Sequence, residues 1–266
     1  MNLLRAMGSA DIESAIDIIH SHDEDDAEEA RLSYNANGGL DDQYVLEIDG
    51  RVIGVTGYAT PPGCDRVHWL SWTYVHEASC NQGHGRRMLE DLVQRLTSLD
   101  ARKLFVKISD YKEENDEGNL ECIYDAAMHL YKSMGFTAEI VLKDYYDEHE
   151  SMTILGKQLA PPNAEPAVYT HQKQKIQFNS IFEIAETDDA YSFGWTEKGK
   201  KAFDIKDVEL GIEEVRKKDG RAVFLSFPHT YEGIADTLYA AGFSNAGVLE
   251  DYFEDGLHEQ HFSCYL

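Results

Sequence analysis

The run Cys80-Asn81-Gln82-Gly83-His84-Gly85-Arg86-Arg87 has the residue types and spacing that suit an anion. Glycines at 83 and 85 let the backbone approach a negative group closely, and a helix starting here offers it unpaired N–H groups. Arg86 and Arg87 add charge-assisted donors in a chain poor in positive charge. The implied ligand chemistry is a phosphate, although a short Gly-x-Gly is weak evidence by itself. A second segment, Ala127-Met128-His129-Leu130-Tyr131-Lys132-Ser133-Met134-Gly135-Phe136, reads as a helix closed by glycine and followed by a strand. Its Tyr131 carries a phenol that is protonated at neutral pH and can deliver a proton to a departing group. The same tyrosine could instead simply pack its helix.

These residues need elements to hold them. Ile12, Ala15, Ile16 and Ile19 recur at helical spacing, so residues 10–20 read as an amphipathic helix. The acidic run 23–29 leads into a second short helix ending before Asn37-Gly38-Gly39. Strands are expected at 44–48 and 51–58, joined by Asp49-Gly50, and at 67–75 after the turn Pro61-Pro62-Gly63. The glycine-bearing loop then opens a helix with Met88, Leu89, Leu92, Val93 and Leu96 on one face. A buried strand at 103–108, a polar loop or insertion at 110–119, a helix at 126–134 and strands at 138–146 and 151–159 complete the series. The order predicts an α/β protein with a mixed sheet and helices on both faces.

Aspartate and glutamate number 49 against 24 lysines and arginines, a formal net charge of −25. Such a surface repels phosphate backbones, so neither nucleic acid nor an anionic membrane is an expected partner. Cys64, Cys80, Cys122 and Cys264 lack metal-site spacing and read as reduced thiols. The N-terminal helix carries Asp11, Glu13 and Asp17 and is no signal peptide, so a cytoplasmic location is expected. His20-Ser21-His22-Asp23 borders an exposed acidic run, and no metal is assigned to it or elsewhere.

Pro161, Pro162 and Pro166 mark a linker at 161–166 between domains at 1–160 and 167–266. A half-repeat crosses it. Val141-Leu142-Lys143-Asp144-Tyr145-Tyr146 recurs as Val248-Leu249-Glu250-Asp251-Tyr252-Phe253, a shift of 248 − 141 = 107, which also maps Gly135-Phe136 onto Gly242-Phe243. Upstream, a shift of about 119 aligns the strand 104–108 with 223–227 and its preceding helix with 205–216. The second part therefore reads as a degenerate copy of the latter part of the first. In it Leu238 stands where Tyr131 would be, and Ala202 and Asp204 stand where Gly83 and Gly85 would be.

The order of strand, Gly-x-Gly loop, helix, strand and helix ending Leu-Tyr-x-x-x-Gly-Phe resembles the GNAT acetyltransferases, in full over about 1–159 and in part over 200–266. The resemblance implies the GNAT acyl-CoA N-acyltransferase fold, with a smaller C-terminal GNAT-like half-domain. It also implies acetyl-CoA as co-substrate and transfer of its acetyl group to a primary amine. In that family the loop, Arg/Gln-x-x-Gly-x-Gly/Ala, holds the pyrophosphate of coenzyme A. Gly83 and Gly85 match, with Asn81, Gln82, His84, Arg86 and Arg87 beside them, while Cys80 replaces the leading arginine or glutamine. Thr73, Tyr74 and Val75 would present backbone groups to the pantetheine arm and acetyl carbonyl, and Tyr131 would protonate the leaving thiolate. Tyr124 stands where the family often has asparagine. A family glutamate in the strand 104–108 is matched by Lys107, leaving Asp110, Asp144 or a water chain as proton acceptor, with Asp110 the nearest carboxylate.

Acidic segments at 23–29, 110–117 and 144–150 would surround the acceptor mouth and favour a cationic small molecule or basic peptide; plain solvated loops are the other reading. Trp69, Trp72, Tyr74, Tyr145 and Tyr146 either line that pocket or pack the sheet. A non-catalytic acyl-CoA-binding or assembly module is the competing function, and a homodimer stays open.

Overall fold

The computed structural model describes residues 3–114, 118–162, 177–196, 204–231 and 233–266. The chain gathers into two compact units, Met1–Val106 with Lys157–Pro161, and Lys107–Gly156 with Pro162–Leu266. Both are mixed α/β. The expected linker lies outside the described residues from 163 onward.

The first unit begins with β1 (Leu4–Ala6), α1 (Ile12–His20) and α2 (Glu24–Tyr34). The apolar stripe of α1 is buried as its spacing requires, with Ile18 added. α2 starts at Asp23, whose carboxylate accepts the Asp26 N–H at 2.9 Å, and it buries only Ala27, Ala30 and Tyr34. β2 (Gln43–Ile48) and β3 (Arg51–Ala59) turn through Asp49 and Gly50 at φ of 51° and 75°, the geometry of a type I′ hairpin. Val45 and Val55 from these strands close one core with α1 and α2.

The strand expected over 67–75 is two pieces, β4 (Val67–Leu70) and β5 (Tyr74–Val75), both antiparallel to β3. Leu70 pairs with Tyr58 and Tyr74 with Val55, so four steps here (74 − 70) meet three on β3 (58 − 55). The extra residue makes a bulge, and its cause is local. Thr73 Oγ1 donates to the Ser71 carbonyl at 2.8 Å and shares a 2.9 Å hydrogen bond with Thr56 Oγ1, which competes with the ladder. α3 (His84–Ser98) then buries Met88, Leu89, Leu92 and Leu96, and β6 (Lys103–Ser109) runs parallel to β4.

Tyr34 is 2% exposed and stands edge-on to Trp72, and its hydroxyl has no hydrogen-bond partner among the described residues. An unmade buried hydrogen bond costs about 1–3 kcal/mol. Tyr34→Phe is therefore expected to raise unfolding free energy by about 1 kcal/mol in a denaturant titration. A loss of similar size would show that a buried water satisfies the hydroxyl.

In the second unit, β7 (Lys112–Glu114) and β8 (Leu120–Cys122) form a small hairpin where a polar loop or insertion was expected; residues 115–117 lie outside the described set. α4 (Asp125–Ser133) leads to the antiparallel pair β9 (Thr137–Asp147) and β10 (Glu150–Gln158). Next come β11 (Gln177–Glu183), β12 (Ala190–Thr196), α5 (Ile205–Arg216), β13 (Ala222–Pro228), α6 (Ile234–Ala240), β14 (Ser244–Glu254) and β15 (Leu257–Tyr265). β9, β14, β15 and β13 pair antiparallel in that order, β12 joins β13 in parallel, and β11 closes the row. α5 and α6 cover this sheet through Val208, Ile212, Val215 and Leu238 against Phe193, Leu225 and Phe227.

The shift of 107 recurs in these elements: β9 maps onto β14 (137 + 107 = 244, 147 + 107 = 254), and β10 onto β15 at its start (150 + 107 = 257). Asp144 and Asp251 both have positive φ, 48° and 53°. Each carboxylate accepts a turn N–H, from His149 at 3.0 Å and from Gly256 at 2.8 Å. The shift of 119 maps β6 onto β13 at its start (103 + 119 = 222) and Asp100 onto Asp219, at φ of 60° and 59°. Ile140 pairs with Gly247, its own equivalent (140 + 107 = 247).

Candidate active site

The glycine-bearing loop ends at Gly83, the residue capping α3, which has φ 79° and ψ 5°. An L side chain rarely adopts that conformation, and glycine is the residue that takes it at least cost. Asn81 also has positive φ, 60°, so the chain makes two left-handed turns just before the helix. The Arg87 N–H returns to the Gly83 carbonyl at 3.2 Å, leaving the N–H groups of the first turn without helical partners. That turn contains no aspartate or glutamate to occupy them, and Arg86 and Arg87 are exposed beside it. Asn81, Gln82 and Gly83 are exposed too. The His84 Nδ1 atom is buried without a hydrogen-bond partner among the described residues.

β5 lies in the same unit. The Val75 carbonyl accepts Cys80 Sγ at 3.4 Å, tying the loop to the strand, and meets His22 Nε2 at 2.8 Å. Burial, aided by Glu77, raises the Cys80 thiol above its ordinary range, so it is a poor thiolate nucleophile. Thr73 sits in the bulge, whereas Tyr74 and Val75 pair with Val55 and Gly54.

α2 adds a contact that sequence reasoning missed. The Tyr74 hydroxyl donates a short hydrogen bond to Asp26 Oδ2, and the His22 ring lies 5.5 Å from that of Tyr74. Burial pushes the Asp26 carboxyl up to about 6, Tyr74 opposes the shift, and Asp23, Glu29 and Asp25 reinforce it. A carboxyl raised from 3.8 binds its proton more tightly when folded than when unfolded, so stability is lost as pH climbs through the interval 3.8 to 6. Asp26→Asn is therefore expected to raise stability by about 2 kcal/mol at pH 7.5 and to leave it unchanged below pH ~3.5. Equal melting curves for the two proteins at pH 7.5 would refute the shift.

The remaining candidates belong to the second unit. Tyr131 is 7% exposed on α4, edge-on to Phe136, and burial raises its phenol far above the neutral range. Tyr124 caps α4, its carbonyl accepting the Met128 N–H at 2.9 Å. Asp110 has a structural engagement: Oδ1 accepts the Ser151 N–H at 2.6 Å while its own N–H donates to the Ser151 carbonyl at 3.1 Å. Asp144 likewise serves its turn through the His149 N–H. Glu186, in the turn between β11 and β12, accepts from Lys107 Nζ at 2.7 Å and from the Tyr145 hydroxyl at 2.8 Å, and the Tyr145 ring packs on Phe224. Glu150 accepts from Ser109 Oγ at 2.5 Å, and its carboxyl is raised by burial and by Asp110, Asp147 and Asp188.

In the C-terminal segment, Ala202 lies outside the described residues. Asp204 caps α5 by accepting the Lys206 N–H at 3.1 Å, and so occupies a helix start that an anion would need. Leu238 is fully buried on α6. All four cysteines are free thiols. Among the described residues, no cluster of three histidine, cysteine or acidic side chains could hold a metal, and no helix is long and apolar enough to cross a membrane.

Comparison with known proteins bears on this arrangement. No curated protein matches the sequence. The ribosomal-protein-S18-alanine N-acetyltransferase of Escherichia coli is similar at 18% identity over 63% of this chain and 100% of that one, with TM-score 0.47. The aminoglycoside 6'-N-acetyltransferase of Enterococcus faecium is similar at 11% identity over 60% and 98%, with TM-score 0.48. An aminoglycoside 6'-N-acetyltransferase complexed with coenzyme A matches at 11% identity over 60% and 98%, with TM-score 0.47. The family model for the acetyltransferase (GNAT) domain matches residues 40–138, a span that holds the bulged strand, the glycine loop, α3 and α4. Over residues 40–138, then, this chain is similar to the GNAT acetyltransferase domain.

Proposed function

We propose that the protein transfers the acetyl group of acetyl-CoA directly to the primary amine of a cationic small molecule or basic peptide. One observation carries this reading: within the matched span, a left-handed Gly83 opens α3 with an acid-free first turn flanked by Arg86 and Arg87. That set of donors fits a pyrophosphate. Cys80 contributes no charge to it, so the backbone N–H groups and the two arginines do the holding. Acetyl-CoA bound there would supply the acyl group and a thiolate leaving group.

The chain's own residues would then act in order. Backbone N–H at the Thr73 bulge faces the negative charge that develops on the carbonyl oxygen as the amine nitrogen forms its bond to carbon. Such a donor is worth roughly 3 kcal/mol. As the carbon–sulfur bond breaks, the Tyr131 phenol gives its proton to the departing sulfur. Asp110 and Asp144 each accept one backbone N–H through Oδ1. Residues 167–266 are read as a degenerate copy of the preceding region without a working cradle, since Asp204 fills its helix start. The domain limits 1–160 and 167–266 belong to the same proposal.

A net charge of −25 draws cationic acceptors and keeps polyanions away. The test is release of free coenzyme A thiol from acetyl-CoA against a panel of diamines, aminosugars and basic peptides, with calorimetric binding of coenzyme A alongside. Turnover with a cationic amine supports the reading. Coenzyme A binding without turnover on any amine would point to the acyl-CoA-binding module, which the loss of an arginine or glutamine at Cys80 favours.

A further inference from the structure

The proposed reaction leaves one task unassigned, because the acceptor arrives as an ammonium and must shed a proton before it attacks. We propose that Asp26, anchored by the Tyr74 phenol against β5, is the carboxylate that binds the acceptor ammonium and takes its proton. The inference rests on the acetyl-transfer reading above and assigns its missing residue.

Three observations bring the role to Asp26. The first is position. Its Oδ2 is held by the hydroxyl of Tyr74, a residue of the β5 segment assigned to the acetyl-bearing arm. The second is an unmatched charge. The leading charges acting on Asp26 are themselves acidic (Asp23, Glu29 and Asp25), and its one side-chain hydrogen-bond partner among the described residues is the neutral Tyr74 phenol. Oδ1 makes no hydrogen bond among those residues, so one lone-pair face is left for a cation. A half-buried carboxylate in that state gains most from an incoming ammonium. The third is the surroundings. His22 stands beside the Tyr74 ring and holds the Val75 carbonyl, which fixes the strand segment next to the carboxylate.

The proton balance is simple. The acceptor's ammonium gives one proton to an Asp26 oxygen, and the freed lone pair forms the nitrogen–carbon bond. The carbon–sulfur pair leaves with sulfur, which takes the Tyr131 proton. The second proton of the attacking nitrogen restores the phenol, and Asp26 returns the first to solvent. Asp110 and Asp144 each hold a turn or strand N–H through Oδ1, whereas Asp26 is held by the β5 residue Tyr74.

The experiment measures binding of 1,3-diaminopropane by calorimetry to the wild-type chain and to Asp26→Asn, each with and without coenzyme A, at pH 7.5. Diamine affinity is expected to fall about 30-fold in Asp26→Asn, the loss of one charge-assisted hydrogen bond, while coenzyme A affinity stays the same. Wild-type diamine binding should weaken below pH 6 as the carboxyl protonates. In Tyr74→Phe that limb should move to higher pH, since the phenol is what lowers the Asp26 carboxyl. Equal diamine affinity in wild type and Asp26→Asn, including binding to neither, overturns the assignment. Failure of coenzyme A to bind the wild type would sink the acetyl-transfer reading instead, and the diamine comparison would still decide Asp26.

Discussion

Gly85→Asp is expected to weaken coenzyme A binding by about 100-fold or more, through like-charge repulsion and loss of the N–H groups the anion would use. Gly85 lies in the first turn of α3, two residues after the left-handed Gly83. A carboxylate at this second helical position would set a negative charge against the helix start where the anion is to bind, whereas Asp204 acts at α5 from the capping position itself, which is Gly83 here. The same substitution suits the helix itself, because a negative side chain in the first turn stabilises it by about 0.3–1 kcal/mol. The fold should therefore persist, with an unchanged or slightly raised melting temperature, while calorimetric binding disappears. Normal coenzyme A affinity in a well-folded Gly85→Asp protein would remove the loop from the proposed site.

Tyr131→Phe is expected to lower kcat about 100-fold or more, the usual range for losing a positioned general acid. The ring packs edge-on to Phe136 and is 7% exposed, so phenylalanine keeps that packing and the melt should barely change. Burial keeps the phenol protonated far above neutrality, so the residue serves as a donor and the wild-type profile should show no basic limb from Tyr131. KM for acetyl-CoA should stay within about threefold, since the phenol acts when the carbon–sulfur bond breaks. Full retention of kcat in the variant would reduce Tyr131 to a packing residue.

What the sequence revealed of this molecule follows the range of each physical signal. Asp49-Gly50 names its own turn because both residues must take positive φ, and neighbours alone decide that. The α1 stripe and the start of α3 are equally local, being set by helical spacing and by a glycine at the cap. The strand over 67–75 misled because alternation says nothing of a threonine that bonds its own strand and forces an extra residue into the ladder. The contact between Asp26 and Tyr74 joins residues 48 positions apart, one in an acidic run that looked like a solvated helix start. Nothing in the run itself separates Asp26 from Asp25; only the packing of α2 does. Asp110 shows the converse, a carboxylate well placed along the chain whose oxygen is already engaged by Ser151.

The pairing of Ile140 with Gly247 places two equivalent positions face to face across antiparallel strands, as a dyad would in an assembly of identical chains. Identical subunits must carry the same residue on both sides of such an axis. Here the two sides differ. Gly247 takes φ 146°, and a Cβ on it would come within 2.9 Å of the Ile140 side chain. A single polypeptide can set a bulky residue against an empty one at its own pseudo-axis, which no symmetric pair can do. Gly247→Ile, the change that would restore symmetry, should therefore split the seam between β9 and β14 rather than strengthen it.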